Sequence, residues 1–249
     1  MRLVWLCLFA LSLFANDFQV KVGVSIAPYA YIVEKIGGSF VEIKIIVPPN
    51  KNPYTYTPNS AQVKEIKDFK IYIASGALFE RRWLERFVNI NPALRVLNFA
   101  ETPCHSAFCY SWLSVDAIKE QAEKIAHLLR IIDLKNAQNY KRNLEQFKQE
   151  LDELKGQIQS VFADPLSGRM VIGDQRIWGD YVKEFGLDSY DLSTEQKFPR
   201  QYNIYCIPFE DLKAKNYANP KIIVDIFAKD WRGMMMELTQ NIARNHNAK

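Results

Sequence analysis

The sequence predicts an α/β protein of two β/α lobes with parallel sheets, joined by one long connecting helix. Three observations predict it. Between residues 20 and 99, short apolar strands alternate with amphipathic helices, the spacing of parallel β/α units. From 134 to 161, apolar residues fall three or four apart, at Leu144, Phe147, Leu151, Leu154 and Ile158, with Phe162 just beyond; this is the stripe of a single helix. After the break Ala163-Asp164-Pro165-Leu166-Ser167-Gly168, strand and helix signals resume.

The elements follow in order. Residues 20–26 alternate apolar with small or polar side chains until Pro28, which predicts a strand; 30–36 read as a helix ended by Gly37-Gly38. A strand over 41–47 runs into Pro48-Pro49-Asn50-Lys51-Asn52-Pro53-Tyr54-Thr55-Tyr56-Thr57-Pro58. Proline fixes its own φ and biases the preceding residue toward extended backbone, so Tyr54 is held on a stiff loop at a strand end, where binding sites are commonly built. Helix 60–67, strand 70–74 (ending at Gly76), helix 79–88 and strand 94–99 complete the first series. Residues 112–131 are helical, and Asp133 reads as the N-cap of the connector, roughly 40 Å long at about 1.5 Å per residue. A coiled-coil segment is the other reading of that stripe, disfavoured by its few heptads. Then come strand 170–172, helix 178–185 closed by Gly186, strands 204–207 and 221–224, and helix 229–243. The implied organisation is a signal peptide over 1–15, an N-terminal lobe over 16–132, the connector over 133–163 and a shortened C-terminal lobe over 164–249.

Composition sets the class. Hydrophobic content of 48% with 24% charged residues is ordinary globular usage. A net charge of +4 with no basic run argues against nucleic acid as a partner. Met1-Arg2 followed by an apolar stretch to Phe14 and then Ala15 reads as a cleaved export signal, with an uncleaved N-terminal anchor as the alternative; Cys7 lacks the context of an acylation site. Export leaves Cys104, Cys109 and Cys206: one local bridge between Cys104 and Cys109, or a soft-metal pair with His105. There is no Ser/His/Asp set and no phosphate-binding glycine loop, so an enzyme is not expected.

At this point the residues resemble a family, the periplasmic metal-binding proteins that feed zinc or manganese ABC importers. Val24-Ser25-Ile26-Ala27-Pro28 with Val33-Glu34-Lys35-Ile36-Gly37-Gly38 looks like its opening. Val47-Pro48-Pro49-Asn50-Lys51-Asn52-Pro53-Tyr54 is similar to its Val-Pro-Pro-Gly-x-Asn-Pro-His. Gly76, Phe79-Glu80, Trp83-Leu84, Trp112-Leu113-Ser114 and a last helix from Asp230-Trp231 follow. The resemblance implies an exported, monomeric solute-binding protein that captures a metal ion between two lobes and delivers it to a membrane permease. It also implies a ligand set of histidines and carboxylates, one from each of several loops. On this chain those positions fall on Tyr54, Tyr110, Gln175 (Asp174 by a one-residue slip) and Asp225, with His105 and Cys109 as possible compensating ligands. The second lobe looks one helix short between Leu187 and Ile204.

The substitutions change the expected chemistry. Zinc favours imidazole or thiolate, whereas two phenolates and a carboxylate suit a hard cation such as ferric iron. Zinc or manganese is therefore expected by resemblance, and iron by ligand type. Each residue has a structural alternative. Tyr54 and Tyr110 could fill the cleft with their hydroxyls hydrogen-bonded. Gln175 and Asp174 could be polar lining, and Asp225 a helix N-cap. His127, within Ile125-Ala126-His127-Leu128-Leu129, reads as a core or lobe-packing histidine, and His246 lies in a polar tail. The missing histidines and short second lobe also motivate a second function, a degenerate paralogue serving as a surface interaction or adhesion protein.

Overall fold

Two four-stranded parallel sheets organise the chain; the computed structural model describes residues 19–99, 110–194, 197–209 and 218–245. The first sheet holds β1 (Val20–Val24), β2 (Val41–Ile45), β3 (Ile71–Ala74) and β4 (Arg95–Asn98) in the order β2-β1-β3-β4. Val22 lies opposite Ile43 on one side and Ile71 on the other. The central strands are buried on both faces, all four residues of β3 included, because α1 (Ala27–Gly37), α2 (Ser60–Glu65) and α3 (Glu80–Ile90) supply the crossovers. Two further helices follow, α4 (Val115–Ile132) and α5 (Ala137–Ala163). The second sheet orders β5 (Met170–Gly173), β6 (Asp188–Asp191), β7 (Ile204–Cys206) and β8 (Lys221–Ile223) as β6-β5-β7-β8. Helix α6 (Gln175–Phe185) follows β5, and α7 (Trp231–Arg244) closes the chain.

Helix α5 is the connector. Asp133 caps a short 3-10 turn, accepting from Asn136 Nδ2 at 2.8 Å and the Tyr140 hydroxyl at 2.7 Å, so the α-helix begins at Ala137 rather than directly after the aspartate. Its 27 residues span about 40 Å. Tyr140, Phe147, Leu151, Leu154, Ile158 and Phe162 form its buried stripe. Asn143 donates to the Ile36 carbonyl of α1 at 3.0 Å, and Arg232 of α7 reaches the Glu150 carbonyl at 3.4 Å and Gln157 at 3.2 Å. One helix therefore carries contacts from both lobes. Exposed ion pairs along it, such as Lys119 with Asp152 at 2.7 Å, add little to the apolar stripe.

Three expectations are corrected. Strand β6 has no counterpart among the elements expected from sequence: Asp188-Ser189-Tyr190-Asp191 carries almost no apolar signal, and it forms because β5 offers a free ladder edge, pairing Val171 with Ser189. His127 is exposed, since α4 turns Ile118, Ala122, Ile125 and Leu129 inward and residue 127 lies off that stripe. Asp230, not Asp225, caps the last helix, accepting from Gly233 N at 2.9 Å. Cys206 is buried in β7. The expected signal segment, Cys104, His105, Cys109 and His246 lie outside the described residues.

Candidate metal site

Parallel strands place the loops that follow them along one edge of each sheet. In the first lobe these are Ser25-Ile26 after β1, the proline loop after β2 and Ser75-Gly76-Ala77 after β3; Tyr110 lies beyond β4. In the second they are Asp174 after β5, Ile207 to Phe209 after β7 and Val224 to Phe227 after β8. The two edges face each other across the cleft.

The proline loop is fixed at both ends. Ile46 N and Val47 N extend the β1 ladder, donating to Val24 and Ser25 carbonyls at 2.8 and 3.0 Å. Asn50 has φ 63°, a left-handed position where the family pattern carries glycine and where asparagine is among the best-tolerated alternatives. Asn52 then accepts from Tyr54 N through its side chain at 2.8 Å, and from Thr55 N through its carbonyl at 3.3 Å. Downstream, Asn59 and Gln62 form a reciprocal capping box for α2. Gln62 also donates to the Ile46 carbonyl at 2.7 Å and accepts from the Tyr56 hydroxyl at 2.7 Å. Tyr54 is thus aimed by backbone and side-chain bonds on either side of it.

Tyr110 is 7% exposed and leads into the short turn Ser111–Leu113. Its hydroxyl and that of Tyr54 are hydrogen-bonded to one another. The two rings border a cavity of about 10 Å³ with Ile26, Pro53, Ser75, Gly76, Ala77, Trp112 and Phe227. That volume holds about one water. Phe227 of the second lobe packs edge-on against Tyr54, centroids 6.3 Å apart, and tilted against Trp112 at 5.9 Å. Trp112 also stitches the lobes with hydrogen bonds. Its indole N–H donates to the Ile226 carbonyl at 2.9 Å, and its own carbonyl accepts from the Trp231 indole at 2.6 Å.

The remaining expected ligands do not join the phenols directly. Asp225 is exposed, and its Oδ1 accepts from Phe227 N at 3.1 Å in a local turn. It lines a second cavity of about 310 Å³ that shares Ile26, Pro53 and Phe227 with the tyrosine cavity. Gln175 is the first residue of α6; its backbone N donates to Asp191 at 3.4 Å, and its buried Nε2 has no hydrogen-bond partner among the described residues. Asp174 caps the same helix by accepting from Arg176 N at 2.9 Å, and its carboxylate is gripped by the Arg176 guanidinium, with Nε at 2.9 and 3.0 Å from its two oxygens. Gln175 and Asp174 line neither cavity. Among the described residues no three His, Cys, Asp or Glu side chains cluster as a metal site.

A residue not singled out as functional in the sequence holds part of the wall beside the phenols. Glu80 is 2% exposed at the start of α3 and accepts from Gly76 N at 2.6 Å, Ser75 N at 3.1 Å and the Ser25 hydroxyl. Burial pushes its carboxyl up to about 7 against the opposing pull of these donors. Ser75 and Gly76, which it holds, form part of the wall beside Tyr54 and Tyr110. The only sequence signal is its place in the Gly76, Phe79-Glu80 motif, which says nothing about burial.

Comparison with known proteins gives consistent results. The family model for the periplasmic zinc-uptake complex component A, ZnuA, matches residues 22–202. A putative metal-binding protein of Chlamydia muridarum is 27% identical over 204 residues, covering 77% of this chain and 73% of its own. A manganese ABC transporter substrate-binding lipoprotein, PsaA of Streptococcus pneumoniae, is 22% identical, covering 73% and 65%. A crystal structure of a ZnuA deletion mutant with zinc bound superimposes with a TM-score of 0.80 at 25% identity, covering 93% of this chain and 99% of that one. With two parallel-sheet lobes, a helical connector and a cleft walled by strand-end loops, the chain belongs to the ZnuA family of metal ABC transporter substrate-binding proteins.

Proposed function

We propose that this protein is an extracytoplasmic receptor that captures a metal ion at Tyr54 and Tyr110 and delivers it to the permease of an ABC importer. The observation that carries the reading is the hydroxyl pair: two phenol oxygens from separate loops meet at the positions where the family resemblance expects histidines. Deprotonated, they form a ready-made pair of hard donors. Asp225, across the shared wall at Phe227, is the acidic candidate for a third donor. Such an oxygen-rich set favours ferric iron over zinc, although relatives are named for zinc and manganese. Arg176 does not oppose this, because Asp174 neutralises it.

The test is metal titration of the purified mature protein with zinc, manganese and ferric ion. Binding of one of them is expected, with a tyrosinate charge-transfer band if it is iron. Tyr54→Phe and Tyr110→Phe are each expected to weaken it at least tenfold. No binding of any ion, or binding indifferent to both substitutions, would overturn the reading.

A further inference from the structure

The larger cavity is bordered by neither phenol. It is lined on one side by Val47, Pro48, Pro49, Asn50 and Lys51 of the proline loop and on the other by Pro208, Phe209 and Asp225 to Lys229. At about 310 Å³ it stands at the lower end of small-molecule sites, roughly 300–1,000 Å³. A bare ion has no use for that volume. Two phenolates and one carboxylate also leave a hard ion short, since such ions take about six oxygen donors.

The walls say what could supply the rest. Prolines and Phe209 give rigid apolar surface, and Asn50 is held left-handed at the loop's apex. Lys51 has no counter-ion among the described residues; Lys229, on the opposite wall, is shared with Glu34 at 3.3 Å, both side chains largely exposed. An anionic guest with several oxygens would meet the Lys51 ammonium, and that of Lys229 once it leaves Glu34, while presenting a metal toward Asp225 and the neighbouring phenols. The common border at Ile26, Pro53 and Phe227 makes the two cavities neighbours.

We infer that the cargo is a metal held by a small polycarboxylate chelator, with the chelator seated in the proline-walled cavity against Lys51 and Lys229. This rests on the proposed metal capture at the tyrosine pair and adds the second half of the ligand.

The experiment dialyses the mature protein against zinc, manganese and ferric ion, each with and without ¹⁴C-citrate, the citrate-free ferric ion being supplied as its acetohydroxamate complex. Bound metal is read by elemental analysis and bound citrate by radioactivity. One citrate retained per metal is expected in the wild type. Lys51→Glu, an exposed change that leaves folding intact, is expected to cut citrate retention at least tenfold, and Lys51→Gln less. Tyr54→Phe is expected to lose metal and citrate together. Metal retained equally with and without citrate, and no label bound, would overturn the chelate and leave metal capture standing. Label bound without metal, or unmoved by Lys51→Glu, would also overturn it. Retention of no metal in any arm would overturn the capture reading itself.

Discussion

Glu80 shows how a single buried group can set the response of the cleft to pH. Its carboxyl is raised from 4.5 to about 7 in the folded protein, so the native state binds its proton more tightly than the unfolded chain does. Stability from this group is fully present below about 4.5 and is lost as pH rises to about 7. The whole swing amounts to about 3 kcal/mol. Glu80→Gln is expected to flatten the slope of stability against pH over this interval, read by urea unfolding at each pH. An unchanged slope would mean that other groups carry it. The tyrosines illustrate what is legible at this scale. Both positions can be picked out by the family resemblance, with ligation and cleft filling equally open; only the structure brings the hydroxyls together, because Tyr110 reaches Tyr54 from a loop more than fifty residues away in sequence. Asp225 is legible as an acidic residue of the cleft but not as one turned into a neighbouring cavity by its bond to Phe227 N.

Among the elements, the connector is the most readable, because an apolar stripe at three- and four-residue spacing over so many turns fits a helix and no strand. Its energetics sit in that stripe rather than in its surface ion pairs. Phe147 is 1% exposed and packs edge-on to Tyr31 of α1, centroids 6.0 Å apart. Phe147→Ala is expected to cost about 3–5 kcal/mol in denaturant unfolding, whereas Lys119→Ala is expected to cost less than about 1 kcal/mol. Strand β6 is the least readable. Its residues are polar, its place is an edge, and its existence is decided by the backbone of β5 rather than by its own side chains. Boundaries drift for a similar reason: the helix around Trp178 starts at Gln175 because Asp174 caps it, a bond that the apolar positions do not reveal.

On the scale of the molecule, the two lobes are held by more than the connector. The carbonyl and indole of Trp112 take part in a pair of hydrogen bonds with the second lobe, and Phe227 presses into the aromatic group formed with Tyr54. Trp112→Phe keeps an aromatic ring but leaves the buried Ile226 carbonyl without its donor, a cost of about 1–3 kcal/mol. Faster amide hydrogen exchange around residues 224–231 is expected, with the sheets unaffected. Equal protection in the variant would show that the connector alone sets the lobe spacing. The general architecture is available from alternation and resemblance, but this seam is not, since nothing in Trp112-Leu113-Ser114 states which surface the indole will meet.

The hydroxyl pair has a final consequence, for proton inventory. Two phenols that share a hydrogen bond hold two protons between them, so any cation that takes both as anionic donors must evict both into the solvent. Affinity should then climb with pH by about tenfold per unit for each proton released, as measured by metal titration from pH 6 to 8. A receptor built in this way would load in neutral surroundings and let go in acidic ones.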